Sequence, residues 1–386
     1  MDSCIRGKCN IENSYHNLLD EINSLSANEG YLEIFYSENK GKHIHSKKDI
    51  PNGTNFFQEV PYVSWPIKTS FGELESLIFC ENCLKINCPE NNNYLSLSIL
   101  GLEKRICSKS CFKKISGVSF EDYDPNSSSL RSGWGYYING IKGISTLRNY
   151  QRSVDKLGNI PITAEAVSRC IAQIAADIYF YWHELGMKDE NLYHAFKLGT
   201  KSIENFVAPP ATLFPEIDFN SLINCIQSVL FDQIKDSFSD SFIIDSLLSK
   251  ATIEQLVGQL TLNSQGLNVW GIYQFSGSFK NGNLPDNEHS IGIIKGACVC
   301  IIQSCFNHSC DPNCHVYTID DSTIYVNTNR DIMKGEELTI SYIDNTLPLA
   351  ERINLIQNYH FTCACILCKK EGRSNQTDSG KKRRLE

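Results

Sequence analysis

The sequence has 386 residues, 41% hydrophobic and 21% charged, which is ordinary for a globular chain of two or three domains. Its 36 basic and 44 acidic residues give a net charge of −8, which argues against a general nucleic-acid binder. No stretch approaches the roughly 18 apolar residues of a membrane span, and the opening Met1–Cys9 has no apolar signal core. The expectation is a soluble intracellular protein of cytoplasm or nucleus, a monomer with no membrane partner.

In chain order, residues 31–66 alternate apolar and polar side chains around a turn at Pro51-Asn52-Gly53 and predict short strands. Residues 79–112 are polar and cysteine-rich, with an asparagine run at Asn91–Asn93, and read as a small module held by metal more than by a core. Helices follow. Thr163 is placed to cap one whose apolar face is Ala166, Val167, Cys170, Ile171, Ile174, Ile178 and Trp182. Leu222, Ile226, Leu230 and Ile234 repeat the pattern, and Thr252 with Gln255 resembles a capping box ahead of Leu256 and Leu260. A polar loop over 277–290 leads to strands from Ile291 to Tyr342, among them 323–327 and 337–342, and the polar 372–386, ending in Lys381-Lys382-Arg383-Arg384, read as a disordered basic tail.

The seventeen cysteines are odd in number and accompany no secretory signal, so metal ligation is favoured over a disulfide framework. Cys363-x-Cys365-x-x-Cys368 supplies three clustered thiols, and a tetrahedral zinc needs a fourth ligand from elsewhere; Cys310 offers one. Cys80-x-x-Cys83 with Cys107-x-x-x-Cys111 makes a second four-thiolate set, whose zinc would supply folding free energy that the polar module lacks. Cys88 is left over, Cys4 and Cys9 are two ligands short of a site, and the remaining cysteines read as core filler or free thiols.

Asn307-His308-Ser309-Cys310-Asp311-Pro312-Asn313-Cys314 resembles the signature of SET domains. Lys334-Gly335-Glu336-Glu337-Leu338-Thr339-Ile340-Ser341-Tyr342 matches the second motif of that family, and Tyr359-His360-Phe361-Thr362-Cys363-Ala364-Cys365 runs into its post-SET zinc cluster. The cysteine module between the early strands and the helices resembles a MYND finger with only one of the two usual zinc sites. The whole is similar to SET–MYND (SMYD-type) protein-lysine methyltransferases, in the divergent branch without a C-terminal helical domain; Asn263-Ser264-Gln265-Gly266 also resembles that branch.

The resemblance implies an α+β SET-domain (β-clip) fold of short strands. Its parts would be an N-terminal extension at 1–30, the first part of the SET domain at 31–78, a degenerate MYND-like zinc module at 79–114 and a linker with helical SET insertion at 115–290. The C-terminal SET core would span 291–344, the post-SET zinc segment 345–370 and the tail 371–386. It further implies methyl transfer from S-adenosylmethionine to a lysine of a histone or of another protein such as a ribosomal one, with about two structural zinc ions. Asn307 and His308, the latter largely through its backbone, would hold the cofactor, Phe361 would pack on its adenine, and Asn263 would add a polar contact. Gly41, Lys42 and His43 would form the early cofactor loop, with His43 where the family has a second glycine. Tyr342 would be the channel tyrosine and Ser304 would line the lysine side. The alternative is a catalytically silent zinc-binding SET/MYND interaction protein, motivated by His43.

Overall fold

The structure is a computed structural model that describes residues 30–69, 79–86, 95–96, 105–116, 141–154, 162–204, 206–208, 217–238, 240–274 and 289–372. Cys4, Cys9, Cys88, the asparagine run, residues 277–288 of the polar loop and the basic run of the tail lie outside them. The chain divides into two compact units. One comprises Met1–Glu59, Ile302–Tyr317 and Ile324–Glu386; the other comprises Val60–Ile301 and Thr318–Thr323.

In the first unit the expected short strands form, and the class is α+β. β1 (Leu32–Ser37) and β2 (Gly41–Ser46) make an antiparallel hairpin, with Leu32, Ile34 and Ile44 buried. Apolar residues alternate because successive side chains of a strand face opposite sides of the sheet. β3 (Asn55–Glu59) follows a turn in which Gly53 takes φ +73°, a conformation that favours glycine.

Among its described residues the second unit continues with β4 (Val63–Thr69), the two-residue strands β5 (Leu95–Ser96) and β6 (Arg105–Ile106), and seven helices from α1 to α7. These are α1 (Lys109–Ser116), α2 (Ile141–Val154), α3 (Ala164–Glu184), α4 (Asp189–Glu204), α5 (Phe219–Ser237), α6 (Ser241–Leu248) and α7 (Lys250–Asn263). Thr163 caps α3 as its sequence position predicts, its hydroxyl accepting from the Ala166 amide at 3.0 Å. The seven apolar residues foreseen on that helix are all buried, each side chain of Ile or Val size contributing about 1.5–3 kcal/mol of burial. α4 packs on α3 so closely that a Cβ added at Gly199 would sit 2.6 Å from the Ile178 backbone nitrogen.

The cap of α7 differs from expectation. Ser249, in extended conformation, accepts from the Thr252 amide at 3.1 Å, so the helix starts one turn before the Thr252–Gln255 pair. The Thr252 hydroxyl instead donates to the Ser246 carbonyl at 2.5 Å. A second difference is β7 (Ser264–Gln274), which pairs along its length with β8 (His289–Val299), so the strand begins two residues before Ile291. β4 completes this antiparallel sheet in the order β4-β8-β7. No helix among the described residues is long and apolar enough to cross a membrane.

Back in the first unit, a 3-10 turn (Gln303–Cys305) leads to β9 (Asn307–His308), β10 (Cys314–Tyr317), β11 (Ile324–Thr328), β12 (Glu337–Ile340) and α8 (Leu349–Gln357). The sheet orders are β1-β2-β12-β9 and β10-β11-β3. β9 lies parallel to β12, pairing Asn307 with Thr339 and His308 with Ile340. That pairing lays the signature motif against the second motif.

Candidate functional site

The first unit gathers the motif residues at the end of the β9–β12 pair. Buried Glu59 at the end of β3 anchors the approach, its carboxylate accepting from the amides of Ile302 and Gln303 at 3.1 and 2.8 Å. It satisfies donors that open the 3-10 turn carrying half-buried Ser304 and buried Cys305. Buried Asn313 pins the two motifs together: its side-chain amide donates to the Glu337 carbonyl at 2.8 Å, and its oxygen accepts from the Thr339 amide at 2.7 Å.

Tyr342 was expected to end its strand, but β12 stops at Ile340 and Tyr342 lies two residues beyond. Its amide donates to Nδ1 of His308 at 3.0 Å, and its phenol donates to the Phe306 carbonyl at 2.6 Å. Burial pushes that phenol well above the ordinary tyrosine value, with Tyr359, Cys305 and Glu337 adding to the effect, so the hydroxyl stays protonated at neutral pH. Tyr359 packs on it with ring centroids 5.0 Å apart. The ring of Phe361 meets Tyr342 edge-on at 6.4 Å and lies 6.1 Å from His308, while 39% of its own surface is exposed. Desolvation, helped by Arg352, pushes the His308 imidazole down to about 4 and keeps it neutral.

Asn307 donates to a Glu337 carboxylate oxygen at 3.2 Å, and Lys40 holds the other at 2.6 Å. Burial alone would raise the Glu337 carboxyl, but Lys40 and Asn307 outweigh it and hold the group below its ordinary value. Gly41 opens β2 at φ +67° with nothing within 4 Å of where a Cβ would stand. Desolvation lowers the half-buried Lys42 amine. His43 is buried and its Nδ1 lies 3.0 Å from the Gly41 carbonyl; its ring is stacked 5.9 Å from Phe35 and lies 5.2 Å from His45. Asn263 belongs to the other unit, where its side-chain amide donates to the carbonyls of Gln259 and Val207 at 2.7 and 2.9 Å.

Lys40 and Glu337 are the residues that sequence reasoning missed. Glu337 stood inside the quoted second motif and could have been found there. Lys40 is far from Glu337 along the chain, and no local pattern joins them.

This donor set fits a zwitterionic amino-acid nucleoside such as S-adenosylmethionine. The Glu337 carboxylate offers an acceptor for an ammonium, Lys40 offers a cation for a carboxylate, the space at Gly41 admits close backbone approach, and the partly exposed Phe361 offers an aromatic ring for a purine.

The two cysteine sets also assemble as expected. Cys310, Cys363, Cys365 and Cys368 bring their sulfurs within 4.8 Å of one another, as do Cys80, Cys83, Cys107 and Cys111. Sulfur separations of 3.5 Å (Cys310–Cys368), 3.8 Å (Cys310–Cys363), 3.5 Å (Cys83–Cys107) and 3.4 Å (Cys107–Cys111) approach the roughly 3.8 Å edge of a tetrahedron with 2.3 Å zinc–sulfur bonds. Both sets suit zinc. Four thiolates leave no open coordination position, so a zinc held there would be structural.

The SET domain family matches residues 41–343 of the chain. A SET domain-containing protein of Dictyostelium discoideum is 26% identical over 372 residues, covering 89% of this chain and 83% of that protein. A SET domain and MYND-type zinc finger protein of Schizosaccharomyces pombe is 31% identical over 159 residues, 39% of this chain and 29% of the relative. A histone-lysine N-methyltransferase of Arabidopsis thaliana is 42% identical over 76 residues, 19% of this chain. The chain aligns with only 16% of that plant protein.

Proposed function

The chain belongs to the SET-domain family, and from that premise we propose that it is a protein-lysine N-methyltransferase that uses S-adenosylmethionine. Its cysteine sets and its SET–MYND relatives fit a SET–MYND protein, and relatives named histone-lysine N-methyltransferases support lysine methylation in general. The observation that carries the reading is the Tyr342 phenol, donating to the Phe306 carbonyl, with the partly exposed Phe361 ring edge-on beside it.

When bound, S-adenosylmethionine supplies an electrophilic methyl group. Lys40, Gly41, Asn307 and Glu337 would bind its amino-acid part, Phe361 and the His308 backbone would bind its adenine, and Lys42 and His43 would complete the loop. Asn263 is assigned a polar contact on resemblance alone. Methyl transfer needs a neutral amine, a straight approach and little water. The Tyr342 phenol oxygen and the Phe306 carbonyl are acceptors that can orient the two N–H bonds of a neutral lysine amine, leaving its lone pair to point at the methyl group. Ser304 lines the lysine side of that channel. The lysine arrives on a protein, either a histone tail or another protein such as a ribosomal one.

The test is a labelled-methyl transfer from S-adenosylmethionine to cell extract, with mass spectrometry of the labelled residue. Label on lysine supports the reading. Saturable cofactor binding with no transfer to any protein would leave an interaction protein built on the same fold.

A further inference from the structure

The His308 side chain has a place in the structure that a backbone contact to the cofactor does not explain. Because β12 ends at Ile340, the amide of Tyr342 has no strand partner, and a main-chain donor away from water needs one. His308 Nδ1 accepts it at 3.0 Å. A neutral imidazole that accepts at Nδ1 carries its proton on Nε2, and Nε2 lies 3.3 Å from the sulfur of Cys310. Cys310 is a member of the C-terminal four-cysteine set. One ring therefore spans from a zinc-ligand sulfur to the main chain of the channel tyrosine, whose phenol is held at the Phe306 carbonyl, two residues before that ring.

We propose that His308 is a positioning residue, through which the C-terminal zinc site sets the position of the Tyr342 phenol. Thiolate character at Cys310 accepts from Nε2–H and fixes the tautomer; that tautomer presents a lone pair at Nδ1 to the Tyr342 amide. Ser309, whose amide donates to the Ile340 carbonyl at 2.9 Å, holds the intervening backbone against β12, so the ring has little freedom to leave either partner. The inference rests on the methyltransferase reading for the meaning of Tyr342, but the bridge itself is a matter of geometry.

The experiment uses the zinc-loaded full chain carrying His308→Ala, Tyr342→Phe, or both. His308→Ala is expected to keep both zinc ions and to bind S-adenosylmethionine within about threefold of wild type, while kcat falls at least about tenfold. In the Tyr342→Phe background the same change is expected to cost less than about twofold, because a residue that acts through the phenol has nothing left to position. Equal losses in both backgrounds would overturn the proposal. Two readouts do not depend on turnover: the amide resonance of Tyr342, and the sulfur-to-metal charge-transfer bands after cobalt replaces zinc. His308→Ala is expected to move the resonance and to shift the bands to lower energy, and both unmoved would overturn the bridge. A wild type without transferase activity would remove the functional reading, and these two readouts would still decide the geometry. Should the alanine variant not fold, His308→Leu keeps bulk at the site with neither a donor nor an acceptor, and is expected to move both signals; unchanged signals again overturn it.

Discussion

The two four-cysteine sites share their ligands and differ in what surrounds them. Around Cys80-Glu81-Asn82-Cys83 the neighbours are charges of the helical scaffold. Glu81 pairs with Arg148 at 3.0 Å and Arg169 at 3.2 Å, and its carbonyl accepts from Arg169 at 2.8 Å. Buried Glu165 on α3 closes the network, 2.7 Å from Arg169 and 2.8 Å from Arg148. Around Cys310, Cys363, Cys365 and Cys368 the neighbours are His308 and buried Arg352, whose guanidinium donates to the Leu347 carbonyl at 2.5 Å and to Glu371 at 2.6 Å and lies near the Cys310 and Cys368 thiols. The same four-cysteine arrangement thus borders a charged scaffold in one case and, through His308, the main chain of Tyr342 in the other. Losing the first should appear mainly as instability, and losing the second mainly as lost chemistry.

The harshest break of that contrast is Cys365→Ser. It should release one of about two zinc ions and abolish transfer, because Phe361 and His308 both depend on the cluster beside them. Elemental analysis with a transfer assay checks it, and an unchanged zinc content would remove Cys365 from the site. The scaffold counterpart is Arg169→Ala, which leaves buried carboxylates short of a cation and should cost about 3–5 kcal/mol in denaturant unfolding. Cofactor affinity of the folded protein should remain as in wild type.

A pH series sharpens the same point. The Arg148 and Arg169 guanidiniums outweigh the burial that would otherwise raise Glu165, and hold its carboxyl far below the usual range. A folded value below the unfolded one gives stability that is complete above the unfolded pKa of about 4.3, and is lost as pH falls beneath it. Melting temperature should therefore drop between about pH 5 and pH 3, and the drop should be shallower in Glu165→Gln. An equally steep acid limb in that variant would place the acid sensitivity elsewhere.

The smallest expected effect is local. Ser249→Ala should cost about 1 kcal/mol through loss of the α7 cap, and Gln255→Ala much less. The reverse order would restore the capping box read from the sequence.

What was legible in the sequence was what repeats at short range. The cysteine sets, the buried face of α3 and the strand pattern of β1 to β4 are carried by spacing, and the structure contains them. The Thr252–Gln255 pair misled because its spacing mimics a cap, while the serine three residues earlier has the extended backbone that a cap needs. β7 was missed although buried Leu267 and Val269 alternate with exposed Asn268 and Trp270, because the preceding helical pattern ran straight into it. In the site, Tyr342, His308 and Phe361 stood in motifs and their rings pack together, while Asn307 bonds to Glu337 instead. The Lys40–Glu337–Asn307 contacts and the guard of Arg352 over two thiols join distant parts of the chain, and only the folded backbone shows them.

The central claim is that Tyr342 serves the chemistry and not merely the fold, and Tyr342→Phe tests it most directly. The phenyl ring keeps its packing against Tyr359, His308 and Phe361, and only the hydroxyl bound to the Phe306 carbonyl is removed. The variant should keep its zinc and its affinity for S-adenosylmethionine. Methyl transfer should fall at least about tenfold, or about 1.4 kcal/mol of transition-state stabilisation, with products weighed as well as counted. Transfer at the wild-type rate, to the same lysine and the same degree of methylation, would contradict the account.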